Sequence, residues 1–214
     1  MGVYEDVLKA DPDFVKAWNN KGLALYGLRN YGEARKALET AVKINPSLAA
    51  PWHNLGMVLL ALDQPREALK AFDVALGIAP KYPEALCNKG NALYLIWQMD
   101  KHRESPGIYE EILNTTSDYE TEYEDGLKEA LEAYGEALKI KPDYAGAWYA
   151  KGVVLLDICH YDEALEAYNE ALRIRPDFED AWHNKGATLW HMHELDEAEK
   201  CFKKARELRD ASAQ

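Results

Sequence analysis

The chain has 214 residues, 48% of them apolar and 29% charged, a balance that belongs to a folded protein rather than a disordered one. With 37 acids against 25 bases the formal charge is −12, so phosphate backbones and anionic lipid are repelled, and neither nucleic acid nor a membrane is expected as a partner. No apolar run approaches the roughly 20 residues of a bilayer span, and no basic-then-apolar leader opens the chain; Cys87, Cys159 and Cys201 form no C-x-x-C pair, which fits a reducing, cytoplasmic setting.

In chain order, residues 1–14 read as a partial repeat. Tyr4, Val7 and Pro12 stand one period of 34 residues ahead of Leu38, Ala41 and Pro46. Either the chain starts naturally inside a repeat or a boundary has been cut there. The period is carried by four residue types. Trp18, Trp52, Leu86, Trp148 and Trp182 are spaced by 34, 34, 62 and 34 residues. The same intervals separate Gly22, Gly56, Gly90, Gly152 and Gly186, and also Pro12, Pro46, Pro80, Pro142 and Pro176. Ala34, Ala68, Ala130, Ala164 and Ala198 form another ladder, with the long gap one step earlier. The full repeats are 15–48, 49–82, 83–144 with an insertion, 145–178 and 179–212.

Each repeat reads as two helices. Asp13, Asp143 and Asp177, just after the Pro, are expected as N-caps of the first helix. That helix carries Trp, Gly and an apolar residue at i, i+4 and i+7, as in Trp182, Gly186 and Leu189. The second carries Ala, an aromatic and Ala at the same spacing, as in Ala164, Tyr168 and Ala171. Both patterns are one-sided helical stripes. The small residues let the two helices approach closely beneath the large rings. No single hairpin can bury its stripe alone, so neighbours must stack.

The third repeat is 62 residues long against 34, a gain of 28 placed near 99–126, and that stretch holds nine acids and two bases. Its apolar residues keep helical spacing, which predicts a short helix near 106–113 and a second helix lengthened back to about 118. At the far end Glu199, Arg206 and Asp210 replace residues that are mostly apolar, or Pro, in the other repeats. A polar outer face of that kind suits the end of a stack, and the chain is expected to stop near its natural end.

Trp, Gly, Ala, aromatic, Ala and Pro in this order and spacing resemble the tetratricopeptide repeat family over nearly the whole chain. The resemblance implies an all-α fold, a right-handed superhelix of five helix-turn-helix repeats plus the partial N-terminal helix. It also implies a concave groove lined by the first helices, where positions 2, 5, 6, 9, 12 and 13 of each repeat point inward. Position 7, usually Leu in the family, is Lys21, Lys89, Lys151 and Lys185 here; the aliphatic stem is expected to pack while the ammonium reaches water.

Position 6 is Asn20, Asn54, Asn88, Ala150 and Asn184. An amide offers one acceptor and two donors, so such a row can hold a peptide by its backbone, or bond its own scaffold and water instead. It resembles the asparagine ladder of a known member of the family. Position 5 adds Asn19, His53, Cys87, Tyr149 and His183, and position 12 adds Tyr26, Tyr94 and Trp190 among two Leu. Position 9 makes the floor partly apolar through Leu23, Met57 and Val153, with Asn91 as the polar exception. The clamp by which some relatives grip an acidic C-terminus is absent: position 5 never holds Lys, and Glu84 and Asp180 occupy position 2.

Neither a phosphate loop nor a nucleophile–base arrangement is found. His191 and His193 fall on opposite sides of a helix and cannot share a metal from one face. No catalytic residue, cofactor or metal is therefore expected. The sequence points to a protein-interaction scaffold or adaptor that binds an extended peptide in its concave groove. Two other readings fit it as well: a regulatory arm of a larger enzyme, and a homo-oligomeric scaffold that pairs copies through the half-repeat, where Val3, Val7 and Leu8 share one side.

Overall fold

The computed structural model describes residues 2–103 and 119–212, and among these there are eleven α-helices and no strand. They are α1 (Gly2–Ala10), α2 (Val15–Gly27), α3 (Tyr31–Ile44), α4 (Ala49–Ala61), α5 (Pro65–Ile78) and α6 (Pro83–Arg103), then α7 (Tyr119–Ile140), α8 (Ala145–Asp157), α9 (Tyr161–Ile174), α10 (Glu179–His191) and α11 (Leu195–Ser212). No helix among the described residues is long and apolar enough to cross a membrane. The chain divides into two compact bodies, Met1–Gly126 and Leu127–Gln214. In the first body α2 pairs with α3 and α4 with α5, each second helix also lies on the next first helix, and α1 lies on α2. In the second body α8 pairs with α9 and α10 with α11, with α9 on α10.

Each hairpin closes at a position that lacks a side chain. A Cβ built on Gly22 would stand 2.5 Å from Leu38, on Gly56 2.5 Å from the Phe72 ring, on Gly152 2.6 Å from Tyr168 and on Gly186 2.8 Å from Phe202. Real Cβ atoms do not approach so closely, so the ring of the second helix nests directly on the backbone of the first. Phe72 and Tyr168 are fully buried there, flanked by Ala68, Ala71, Ala164 and Ala167.

A second link joins each hairpin to what precedes it. The indole N–H of Trp18 donates to the Pro12 carbonyl at 2.7 Å; Trp52, Trp148 and Trp182 donate to Pro46, Pro142 and Pro176, each at 2.9 Å. The shared period of Trp and Pro is thereby explained: the indole satisfies a carbonyl at the helix end, where no intrahelical donor reaches. Leu86 has no such donor for Pro80. The position-7 lysines lie over these same indoles. Lys21, Lys151 and Lys185 sit 5.3, 5.4 and 5.5 Å from the Trp18, Trp148 and Trp182 rings, as cation–π contacts rather than freely hydrated charges. Lys89, with Leu86 beneath it, pairs instead with Asp73 at 2.7 Å, and Arg66 pairs with Asp100 at 2.6 Å on the same α5–α6 contact.

The turn inside each hairpin is a left-handed cap made without glycine. Arg29, Asp63, Cys159 and His193 have φ of 58°, 58°, 59° and 64°. The N–H groups of Asn30, Gln64, His160 and Glu194 reach back to Leu25, Leu59, Leu155 and Leu189 at 2.9 Å, closing the helix end. One period after Asp63 stands Trp97, which lies inside α6 and stacks on Tyr94 at 6.0 Å; the turn is not made there and the helix runs on to Arg103. The expected helix near 106–113 lies outside the described residues.

Two expectations need correction. The Asp N-caps do not form: Phe14, Leu48, Tyr144 and Phe178 hold the cap positions without side-chain hydrogen bonds. Phe178 packs on the preceding hairpin instead, 4.7 Å from Tyr149, while Phe14 and Leu48 stay exposed. The side of α1 expected to be open is also partly covered, with Leu8 buried and Val7 half-buried, because α1 lies on α2.

Replacing the nesting glycines should be costly in a way that glycine content alone does not explain. Gly56→Ala and Gly152→Ala are expected to destabilise the chain by about 1–3 kcal/mol, since the buried rings cannot retreat. Gly135→Ala in α7 meets nothing within 4 Å, so improved helix propensity should leave it neutral or up to about 1 kcal/mol more stable. Urea unfolding of the three variants checks this contrast.

Candidate first-helix interaction face

In the first body α2, α4 and α6 lie side by side, and in the second body α8 and α10 do. This brings position 6 of one repeat against position 5 of the one before. The Asn54 amide N–H donates to Asn19 Oδ1 at 2.8 Å, Asn88 Nδ2 lies 3.0 Å from His53 Nε2, and the Asn184 amide donates to the Tyr149 hydroxyl at 3.2 Å. All three pairs are 35 residues apart, one period plus one residue. The asparagine row is thus a set of bonds between successive first helices. Asn19 also donates to Asn20 Oδ1 at 3.3 Å, and Asn91 to Asn88 Oδ1 at 3.2 Å.

The His53 ring is at the centre of the first-body network and only 6% exposed, with Asn54 beside it at 8%. An amide N–H can only donate, so Nε2 accepts from Asn88 and the ring proton sits on Nδ1, 3.1 Å from the Tyr82 hydroxyl. Tyr82 and Phe72 flank the ring with centroids 4.8 and 5.9 Å away. Burial pushes the imidazole below its ordinary pKa, against smaller raising effects from Asn54 and Glu84. Burial and the Glu84 charge push the Tyr82 phenol up. Tyr149 is likewise raised, by burial first and then by Asp180, with the Asn184 donor acting in the other direction.

Of the candidate residues, the first body holds Asn19, Asn20, Tyr26, His53, Asn54, Asn88, Asn91 and Tyr94, and the second holds Tyr149, His183, Asn184 and Trp190. His53 and Asn54 are buried between helices rather than presented to a ligand. Asn19, Asn20, Tyr26, Asn88, Asn91, Tyr94, Tyr149 and Asn184 are half-buried, while His183 and Trp190 are exposed. Tyr26 leans on Tyr31 at 5.6 Å, and His183 on Phe202 at 5.3 Å. Leu23, Met57 and Leu60 leave apolar surface on the same face of the first body. Sequence reasoning missed Tyr82 and Phe178, although residues 14, 48, 82, 144 and 178 are all aromatic or Leu on the repeat period. Among the described residues no three His, Cys, Asp or Glu side chains are grouped to hold a metal.

Models described as "Tetratricopeptide repeat" match residues 15–48, 49–82 and 179–211, and one described as "TPR repeat" matches 126–158 and 160–192, together more than half of the chain. No curated protein matches significantly. Among solved structures, TTC0263, a thermophilic TPR protein of Thermus thermophilus, is 22% identical with a TM-score of 0.69, covering 93% of this chain and 97% of that one. MamA residues 41 to the end from Desulfovibrio magneticus RS-1 gives 19% and 0.70, covering 94% and 97%. YrrB, described as a TPR protein with an unusual peptide-binding site, gives 17% and 0.64, covering 97% and 92%.

Two measurements probe the network. Asn54→Ala leaves the Asn19 carbonyl oxygen without its donor and should cost about 1–3 kcal/mol, whereas Asn20→Ala should cost less than about 1 kcal/mol; paired urea titrations compare them. Neutral His53 should also make stability depend on pH. Its folded pKa lies below the unfolded value of about 6.5, so the unfolded chain takes up the proton first as pH falls. The contribution is full above that value and is lost as pH drops towards the lower folded value. Below both values no further loss is expected. Unfolding curves for the parent chain and His53→Gln should differ in slope with pH only in that window.

Proposed function

The chain belongs to the tetratricopeptide repeat family, and from that premise we propose that it is a protein-interaction scaffold, a non-catalytic adaptor that holds a peptide segment on its first-helix face. It would work in the cytoplasm, where its three thiols stay reduced. The observation that carries the reading is the division of labour on that face. The amide donors of Asn54, Asn88 and Asn184 are engaged between helices. The surface that the first body offers a partner is therefore mainly apolar and aromatic: Leu23, Met57, Leu60, Tyr26 and Tyr94. Asn20 adds a polar point, its amide N–H groups taken by nothing among the described residues. Recognition by side-chain burial is the consequence, rather than a continuous backbone ladder. The likeness in fold to a peptide-binding TPR protein agrees with this use of the face.

The test is selection of peptides from a random display library on the intact chain, followed by substitution. Leu23→Asp changes an exposed side chain and should leave the melting temperature intact. Losing burial worth about 1.5–3 kcal/mol should weaken a selected peptide roughly ten- to a hundredfold. Leu28→Asp, at the turn and more exposed at 67% against 38% for Leu23, is the control and should have no effect. A library that yields no binder, or binders indifferent to Leu23→Asp, would count against the proposal.

A further inference from the structure

The position-5 acceptors differ in one chemical respect. Asn19, His53 and Tyr149 each meet an amide donor from the next repeat. Among them imidazole alone exchanges an acceptor nitrogen for a donor near neutral pH. What lies beyond that nitrogen is directional. Asn91 Nδ2 donates to Asn88 Oδ1 at 3.2 Å, and Asn88 Nδ2 donates to His53 Nε2, 3.0 Å away. The donors therefore run from Asn91 to Asn88 along α6 and end on the α4 ring. Each amide has a donor edge and an acceptor edge. Turned over about its terminal bond, it keeps its heavy-atom positions and reverses the hydrogen bond.

A proton on Nε2 cannot face the N–H of Asn88, since both would donate. Opposed in that way, a buried charge would lack its acceptor, which costs more than a lost neutral bond. Turning over both amides avoids this. Nε2–H then donates to Asn88 Oδ1, and Asn88 Nδ2 donates to Asn91 Oδ1, so both bonds are kept and one becomes charge-assisted. The other ring nitrogen needs no change, because Nδ1–H faces the Tyr82 hydroxyl in either state. The surroundings leave the decision to the ring. Burial disfavours the charged form first, with Asn54 and the Glu84 carboxylate on α6 acting the other way. Tyr82, just ahead of α6, is the titratable side chain in contact; burial and then Glu84 push its phenol up, and it stays neutral. α5 presents the Phe72 ring, and α2 presents the Asn19 amide through Asn54, both uncharged.

We propose that His53, Asn88 and Asn91 form a proton-driven relay: uptake of one proton at His53 Nε2 turns over the Asn88 amide and then the Asn91 amide, so that a protonation between two helices is reported at position 9 of the first-helix face. There the edge of Asn91 turned away from Asn88 exchanges its carbonyl oxygen for an N–H group. The first body is apolar at position 9 through Leu23 and Met57, so Asn91 is the polar residue of that row. Resting on the scaffold reading above, the consequence is that the polarity of this point of the face depends on pH. The second body has no such device, because Tyr149 accepts from Asn184 without titrating near neutrality.

NMR of the intact chain reads the relay through the ring itself. At about pH 8 the His53 nitrogens should show the Nδ1–H tautomer, and the Asn88 and Asn91 side-chain amide signals should move as the imidazole titrates below about 6.5. Backbone amides of α4 and α6 should stay protected throughout. Asn91→Asp offers acceptors only, so it holds the Asn88 N–H and turns Asn88 Oδ1 to the ring. The neutral imidazole should then change to the Nε2–H tautomer, with the Tyr82 hydroxyl donating to Nδ1. A carboxylate acting by charge alone would raise the imidazole pKa and leave the tautomer as it was. Asn88→Asp, which removes the donor outright, should give the same tautomer and serves if Asn91→Asp does not fold. An Nε2–H tautomer in the parent chain, an unchanged tautomer in the variants, or amide protection lost from α4 and α6 in step with His53 protonation would overturn the proposal. The ring is read without any peptide, so a library that yields no binder counts against the face and not against the relay.

Discussion

The hairpins close because one helix offers bare backbone where the other offers a ring. Without a Cβ at Gly56, Gly152 or Gly186, the side chains of Phe72, Tyr168 and Phe202 lie on the facing helix itself. Everything else in the repeat is set by that approach. It brings the two helices near enough for the Ala ladder to be buried, and it leaves the Trp on the far side free to reach back to the preceding Pro carbonyl. Gly22 works the same way against Leu38, which shows that the bulk of the partner matters more than its aromaticity. A ring or a branched chain fits; a second Cβ would not.

The fold was legible because periodicity records which residues share an environment. Trp, Gly, Ala and Pro recur for reasons that a 34-residue spacing exposes directly. What spacing does not record is the partner within that environment. Trp and Pro share a period, but only the geometry shows that one donates to the other. Lys21, Lys151 and Lys185 were legible as unusual, yet the indole beneath each ammonium sits three residues earlier on the same helix, a contact that depends on side-chain direction. The expected Asp caps failed for a related reason. Local propensity favoured Asp, while after Asp177 the neighbouring hairpin takes the Phe178 ring one residue later.

The asparagine row was legible as a period on one helix face, but not in what its amides bond. An asparagine row on one helix face has two uses, and sequence alone offers no means of choosing between them. The structure assigns the amide donors of Asn54, Asn88 and Asn184 to the preceding repeat, so that polarity on this face serves register between helices. Buried polar groups that are paired across an interface fix alignment more than they add stability. A one-residue slip of α4 past α2 would leave Asn19 and Asn54 unmatched.

The α5–α6 contact differs from its counterparts in kind. Elsewhere an indole hydrogen bond to the carbonyl of the Pro six residues earlier ties each first helix to what precedes it, a neutral bond that dissolved salt does not screen. Here Leu86 removes that bond, and the Lys89–Asp73 and Arg66–Asp100 pairs join α5 to α6 on the surface. Exposed pairs of this kind contribute about 0–1 kcal/mol and are screened by added electrolyte. Among the described residues, α5–α6 is therefore the junction between successive hairpins at which added salt screens the charged pairs that join the two helices.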